Sequence, residues 1–400
     1  MVKCRPNLQN NQDEMLGDRS IVHMDMDTFF VSCERLQDSR LNAVPLIIGG
    51  HSARGVVSSC SYETRYFGVR SGMPMKQALR LCPDAKVIKG DMELYSKYSN
   101  LVTEIANEHA PMLEKSSIDE FYIDISGMDR FFGCLQWTTE LSDKIKREAG
   151  LPISFGLSVN KTVAKIATGE GKPLGRIEVP ATAVRPFMNP LSIKKIPMLG
   201  NATFQILARI GIRKVHTLAD MPVEVLQRIL GKNGISLWKK ANGIDNTPVE
   251  PYHERKSIST ERTFNQDTFD VDMLRRLLVS MVENLGFDLR KENWLTSTIT
   301  LKIRYSNFDT HTRQKRVAYT SDDQKILEVI SELFDKLYER RMRLRLIGIS
   351  FSGLVRGSYQ IDLFEDTPHK IALYQAMDSM RMRYGKEAVT RAANYTPKPR

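Results

Sequence analysis

Apolar and polar positions along the first 170 residues follow two alternating rhythms. Short aliphatic, β-branched runs at 21–26, 44–48, 55–59 and 153–158 have the length and composition of strands. Stretches at 28–36, 91–109 and 134–149 read as helices, and Met73-Pro74-Met75 opens another. Cap residues mark boundaries. Asp27 is expected to cap the helix at 28–36, Ser61 a helical turn stopped by Gly68, and Asn160 a helix at 161–168. The order βα…ββαβα predicts an α+β sheet with helices on one face. From 172 to 243 the chain changes to short helices punctuated by Pro and Gly, with more Lys and Arg than Asp and Glu. A polar stretch at 246–256 reads as a linker. Strand, helix, strand, strand, helix and strand then follow at 257–264, 270–290, 295–305, 311–319, 323–340 and 344–353, a ferredoxin-like βαββαβ unit. Residues 1–19 are polar and aperiodic, as in a disordered leader, and a helical segment at 368–384 lies in the tail.

Two of the apolar strands end in acid. One closes on Asp25; the other, at 116–124, carries Asp119 and Glu120 among Ile118, Phe121 and Ile123. A lone Asp at a strand end is ordinarily a surface residue. Three carboxylates within about 4 Å are different, because each pair repels by about 4 kcal/mol at an effective dielectric of 20. That sum is comparable with a domain's whole stability of about 5–15 kcal/mol, so a cation must join them. Oxygen ligands favour Mg²⁺ or Mn²⁺ over zinc, and two such ions suit phosphoryl transfer. Tyr62 and Arg65, three apart on one helical turn, form a face able to hold phosphate, and Lys161 and Lys165 lie one turn apart.

Bulk properties narrow the class. Four hundred residues exceed one core and predict two to four domains. No apolar run approaches the ~20 residues of a membrane span, and the polar N-terminus does not read as a signal peptide. Five scattered cysteines without a C-x-x-C argue against a disulfide framework or zinc site and for a reducing cytoplasm. A net charge of +11 points to a polyanionic partner. Residues 196–203 have the form of a helix–hairpin–helix turn, whose backbone N–H groups around Gly200 can bind a DNA phosphate. Arg304, Arg313, Lys315 and Arg316 are expected on the central strands of the C-terminal unit, with Tyr305 and Phe308 interleaved.

Together these stretches resemble the Y-family, lesion-bypass DNA polymerases from about residue 20 to 353. Met24-Asp25-Met26-Asp27-Thr28-Phe29-Phe30 is similar to the family's first acidic motif and Ser117-Ile118-Asp119-Glu120 to its second. Tyr62-Glu63-Thr64-Arg65 resembles its triphosphate motif, and Asn160-Lys161 through Lys165 its palm lysine. The resemblance implies a right-handed α+β polymerase: palm at 20–28 and 91–172, fingers at 29–90, thumb at 173–245, linker at 246–256, little finger at 257–356 and a tail at 357–400. It implies two Mg²⁺, replaceable by Mn²⁺, on Asp25, Asp119, Glu120 and the Met26 carbonyl. Phe29, Phe30, Tyr62, Arg65 and Lys165 would bind the nucleotide, with Phe30 as the steric gate against ribose. Val56 and Ser58 would cover the nascent base pair. Primer–template DNA and dNTPs would be the substrates, in error-prone translesion synthesis without proofreading. Thr64 stands where the family usually has Ala, and Met198 where the thumb hairpin usually has Gly. Gln360, Leu363 and Phe364 resemble the bacterial peptide that binds the sliding clamp. The expectation is a cytoplasmic, membrane-free monomer. An inactive DNA-binding relative and a nucleotidyl cyclase are the competing readings; the first would have lost its carboxylates, and the second has no use for a hairpin thumb.

Overall fold

The computed structural model describes residues 19–52, 54–128, 133–252, 254–339, 342–357 and 367–392. It divides into two compact units, 1–253 and 254–400.

The first unit runs β1 (Ile21–Met26), α1 (Phe29–Gln37), β2 (Leu46–Gly49), β3 (Val57–Cys60), α2 (Tyr62–Tyr66), α3 (Met75–Leu81), β4 (Lys86–Ile88), α4 (Met92–Asn107), β5 (Leu113–Lys115), β6 (Glu120–Asp124), α5 (Cys134–Ala149), β7 (Ile153–Ser158), α6 (Lys161–Gly171) and β8 (Arg176–Val179). Helices α7 (Val184–Met188), α8 (Asn201–Arg209), α9 (Val215–Ala219), α10 (Val223–Leu230) and α11 (Lys232–Ala241) complete it. The main sheet has the order β5-β6-β1-β7-β8, and a small sheet has the order β3-β2-β4.

Strand alternation sorts the main sheet into two unlike faces. Val22, Met24, Phe121, Ile123, Phe155 and Leu157 join α4 and α5 in an apolar core. The opposite face carries His23, Asp25, Glu120 and Tyr122, paired in register as Asp25↔Glu120 and His23↔Tyr122. Helix α6 covers this second face, so helices flank both sides of the sheet rather than one. The reason lies in β7, which offers only Ser154, Gly156 and Ser158 there. Gly156 lies opposite His23, and a Cβ on it would meet Ala164 O at 2.2 Å and Thr168 N at 2.7 Å. Helix and strand backbones therefore touch. Gly156→Ala is expected to destabilise the protein by about 1–3 kcal/mol through overpacking, read as a lower urea midpoint; an unchanged midpoint would show that α6 moves away freely.

Asp27 does not cap α1. Thr28 occupies the cap position with a left-handed φ of 42°. The Asp27 carboxylate is buried instead, accepting from Ser154 Oγ (2.8 Å) and the Leu174 N–H (2.7 Å). A buried carboxylate needs such donors. The other two expected caps are in place, Ser61 accepting from Thr64 N and Asn160 from Val163 N, and Asp91 caps α4 by accepting from Glu93 N and Leu94 N. Part of the polar linker is packed, with Val249 buried against Ile21 and Tyr122.

The second unit contains β9 (Ser257–Thr268), α12 (Val271–Lys291), β10 (Trp294–Tyr305), β11 (Thr310–Thr320), α13 (Asp323–Leu337), β12 (Leu344–Arg356) and α14 (Thr367–Tyr384). Its connectivity is βαββαβ, but its strand order is β11-β10-β12-β9, all antiparallel, with β9 and β11 at the edges. Arg313, Lys315 and Arg316 thus lie on an edge strand, not a central one. Arg313 and Lys315 pair opposite the core residues Leu301 and Ile299 and so face the helices, where Arg313 donates to Lys336 O and Lys315 pairs with Glu332. Arg316 and Arg304 share the face without helices.

Candidate active site

The site forms where β1 and β6 end side by side. Asp25 is the cross-strand partner of Glu120, and the Met26 N–H donates to Asp119 O at 2.9 Å. The Ser116 and Ser117 N–H groups both donate to Glu120 O, forming the turn that holds Asp119 beside the strand end. Ser117 Oγ donates to Asp119 Oδ1 at 2.6 Å. Two stretches nearly a hundred residues apart therefore deliver three carboxylates to one edge of the sheet.

Helix α6 and the residue after it lay a polar stripe over that edge. Lys161, Lys165, Thr168 and Lys172 recur every three or four positions and meet Glu114, Glu120, His23 and Asp25 in turn. Lys172 also lies 3.6 Å from Asp27. Lys161 is committed to its buried partner Glu114 and stacks over the Tyr122 ring, which separates it from Lys165 in role despite their common spacing. Burial pushes the Asp25 carboxyl up to about 6; Lys172 opposes this, and Asp119 and Glu120 add to it. The His23 imidazole and the Lys165 ammonium, both beside the carboxylate, hold Glu120 down at about 2 against its burial.

The donor set suits a hard divalent cation. All three carboxylates offer oxygen, and their repulsion is partly relieved by the ammonium groups of Lys172 and Lys165. Among the described residues no three His, Cys, Asp or Glu side chains stand close enough to hold a metal as arranged, consistent with lysines drawing Asp25 and Glu120 toward α6.

Around this edge, Phe30 is half-buried and stacks on Tyr95 at 4.3 Å with the rings 13° apart. The Tyr95 hydroxyl donates to Glu34 Oε1 at 2.5 Å, fixing the supporting ring. Phe29 turns the other way: its ring is buried in the core, so its side chain is not available to a ligand. Arg65 stacks over the Tyr62 ring at 5.1 Å, and the Tyr62 hydroxyl lies 3.4 Å from Asp27 Oδ1. Val56 and Ser58 are exposed on one side of the β3 segment. Gly200 caps α8, with open space where a Cβ would stand. Met198, before it, is 92 % exposed with φ of 71°, a conformation that glycine adopts with less strain. Gln360, Leu363 and Phe364 lie outside the described residues.

Sequence reasoning missed His23, Tyr95 and Lys172. The first sits two residues before Asp25, hence on the same strand face, and Lys172 continues the 161–165–168 spacing. Those two signals were present; nothing local marked Tyr95.

Residues 24–169 match the impB/mucB/samB family, and residues 255–363 match that family's C-terminal domain. A DNA polymerase IV of Dehalococcoides mccartyi (strain ATCC BAA-2100 / JCM 16839 / KCTC 5957 / BAV1) is 35% identical over 381 residues, covering 94% of this chain and 98% of that protein. A DNA polymerase IV of Caulobacter vibrioides (strain ATCC 19089 / CIP 103742 / CB 15) is 35% identical, covering 94% of each. Among solved structures, a Y-family DNA polymerase chimera, Dbh-Dpo4(243-245)-Dbh, superposes with a TM-score of 0.75 at 26% identity, covering 84% of this chain and 100% of that one. An insertion ternary complex of Dbh DNA polymerase has a TM-score of 0.62 at 25% identity, covering the same shares.

Proposed function

We propose a reaction for this site from the premise that the chain belongs to the impB/mucB/samB family, the Y-family DNA polymerases. It is a DNA-directed DNA polymerase of translesion synthesis, dependent on divalent metal, acting on primer–template DNA and dNTPs. Asp25, Asp119 and Glu120, with the Met26 carbonyl, would hold two Mg²⁺ (Mn²⁺ as a substitute), which would supply activation of the primer 3′-OH and charge neutralisation at the triphosphate. The observation that carries this reading is the register joining Asp25 to Glu120 beside Asp119.

The remaining roles belong to the chain's own side chains. Lys165 and Lys172, released from Glu120 and Asp25, grip the phosphates together with Tyr62 and Arg65. Phe30 closes the space beside the sugar. Val56 and Ser58, both small, leave room over the nascent base pair. In the domain division, 20–28 and 91–172 form the palm, 29–90 the fingers, 173–245 the thumb and 257–356 the little finger. The Gly200 turn approaches a DNA phosphate, and Arg304 and Arg316 offer cations on the open face of the little-finger sheet. Arg313 and Lys315, engaged with α13, contribute charge from the other side.

A primed oligonucleotide tests the reading. Extension directed by template sequence and abolished by EDTA supports it; DNA binding without extension, or cyclisation of a free nucleotide, would favour the competing readings. No helix among the described residues is long and apolar enough to cross a membrane.

On a sliding clamp, Leu363 and Phe364 would fill an apolar pocket and Gln360 would bond at its rim. Tethering raises the polymerase's effective concentration at a primer end without new DNA contacts. Leu363→Ala with Phe364→Ala is expected to leave synthesis on short oligonucleotides unchanged and to remove clamp stimulation on long primed templates. Equal stimulation of the double variant and the parent would refute clamp binding by this peptide. The polymerase is taken to act in the cytoplasm as a monomer.

A further inference from the structure

We propose that His23 is a positioning residue: its Nε2–H holds Glu120 in place after Lys165 has moved to the nucleotide. The proposal rests on Glu120 being one of the metal-site carboxylates.

His23 is 1% exposed, and its ring lies 4.7 Å from that of its cross-strand partner Tyr122. Its Nδ1 is 2.9 Å from Thr168 Oγ1. Its Nε2 points at Glu120 Oε2 across 3.4 Å and has no other polar partner among the described residues. The charged and titratable groups around the ring are Glu120 and Tyr122 on β6, Lys165 on α6, Lys172 just beyond it, and Asp25 on its own strand.

Thr168 and Glu120 together decide which ring nitrogen carries the proton. Its hydroxyl has one hydrogen and three acceptors in reach: His23 Nδ1, His23 O and Ala164 O. The two carbonyls belong to the sheet and helix ladders, so neither depends on the hydroxyl. A proton on Nδ1 would leave a bare Nε2 lone pair facing an ionised carboxylate, an arrangement of two acceptors. Donation from Thr168 to Nδ1 instead leaves Nε2–H aimed at Glu120. The 3.4 Å separation is longer than a formed N–H···O bond, and such contacts in a resting site tighten when the reacting complex assembles.

Lys165 and His23 both address Oε2 of Glu120. Lys165 is about one-third exposed on a flexible stem, whereas His23 is a ring locked on a buried strand. Once the ammonium turns to the triphosphate, the imidazole is the fixed donor left on Oε2. It leaves Oε1, 3.5 Å from Ser116 Oγ, as the oxygen that would take a metal. Gly156, by admitting α6 against β7 opposite His23, places Thr168 where its hydroxyl can donate to Nδ1.

The test uses the full chain with His23→Phe, which keeps a ring without a donor, and His23→Gln, whose amide restores an N–H near the Nε2 position. His23→Phe should lower kcat about 10- to 100-fold and raise the Mg²⁺ half-saturation concentration, the usual scale for losing such a supporting contact. DNA Kd and dNTP KM should stay within about twofold by the same argument, since neither substrate touches the ring. Mn²⁺ binding read by electron paramagnetic resonance should weaken in parallel, and His23→Gln should recover most of both losses. In a Glu120→Gln background His23→Phe should cost nothing more. Long-range ¹H–¹⁵N spectra of histidine-labelled protein should show the Nε2–H tautomer. Should His23→Phe not fold, Thr168→Val and His23→Gln carry the test: Thr168→Val should lower kcat without changing KM, and His23→Gln should bind Mn²⁺ nearly as the parent does. Parent-like kcat and Mn²⁺ affinity in His23→Phe, a full additional loss in the Glu120→Gln background, or an Nδ1–H tautomer would overturn the proposal. Parent-like activity of Glu120→Gln alone would instead overturn the assignment of Glu120 to the metal site.

Discussion

Asp119→Ala is expected to reduce nucleotide incorporation about a thousandfold or more, close to 4 kcal/mol of transition-state stabilisation. The protein should stay folded and bind primer–template DNA about as well as the parent. Of the three carboxylates, Asp119 is the cleanest to remove. Its contacts are local: the carboxylate accepts from Ser117 Oγ, and its own N–H donates back to that hydroxyl, so alanine strands no buried cation. Glu120→Ala should be equally damaging to catalysis but less clean, because Lys165 and His23 lose their shared acceptor. A stranded buried donor costs about 1–3 kcal/mol, so its melting temperature should fall where that of Asp119→Ala does not. DNA affinity comes chiefly from Lys and Arg contacts to phosphates, and neither change touches one. Single-turnover incorporation at saturating Mg²⁺, with fluorescence anisotropy for DNA binding, separates these effects. Robust extension by Asp119→Ala would remove the carboxylate from the reaction.

Phe30→Ala should admit ribonucleotides. The Phe30 ring lies flat against Tyr95, itself fully buried and hydrogen-bonded to Glu34, so the gate cannot swing inward to accommodate a 2′-hydroxyl. Forcing an extra group into a rigid, filled space costs about 1–3 kcal/mol, which is about 5- to 150-fold in rate. Alanine should surrender that much discrimination between rNTP and dNTP while dNTP incorporation falls less. Because Phe30 is half-buried, its truncation should cost less stability than the about 3–5 kcal/mol of a fully buried Phe→Ala change. Competing rNTP and dNTP incorporation opposite one template base measures the ratio. An unchanged ratio with measurable dNTP incorporation would locate the gate elsewhere.

Local signals account for what the amino-acid sequence by itself determined. The strand at Ile21–Met26, the helix at Cys134–Ala149 and the caps at Ser61, Asp91 and Asn160 depend on residues within one turn of each other. The same holds for acid at the ends of two apolar strands, which singled out Asp25, Asp119 and Glu120 as candidate ligands. Periodicity also determined the βαββαβ succession of the second unit.

What the tertiary structure alone decided is partnership across layers. Asp27 looked like a helix cap because caps are read from neighbours, yet its carboxylate is taken by Ser154 and Leu174, more than 120 residues away. Arg313 and Lys315 were expected on a central strand; strand order put them on an edge and register turned them toward α13. Lys172 on Asp25 and Thr168 on His23 exist because Gly156 lets a helix rest on the strand's bare backbone. A one-residue shift in either register would send every one of these side chains to the opposite face, and register is a property of the assembled sheet, not of any stretch within it.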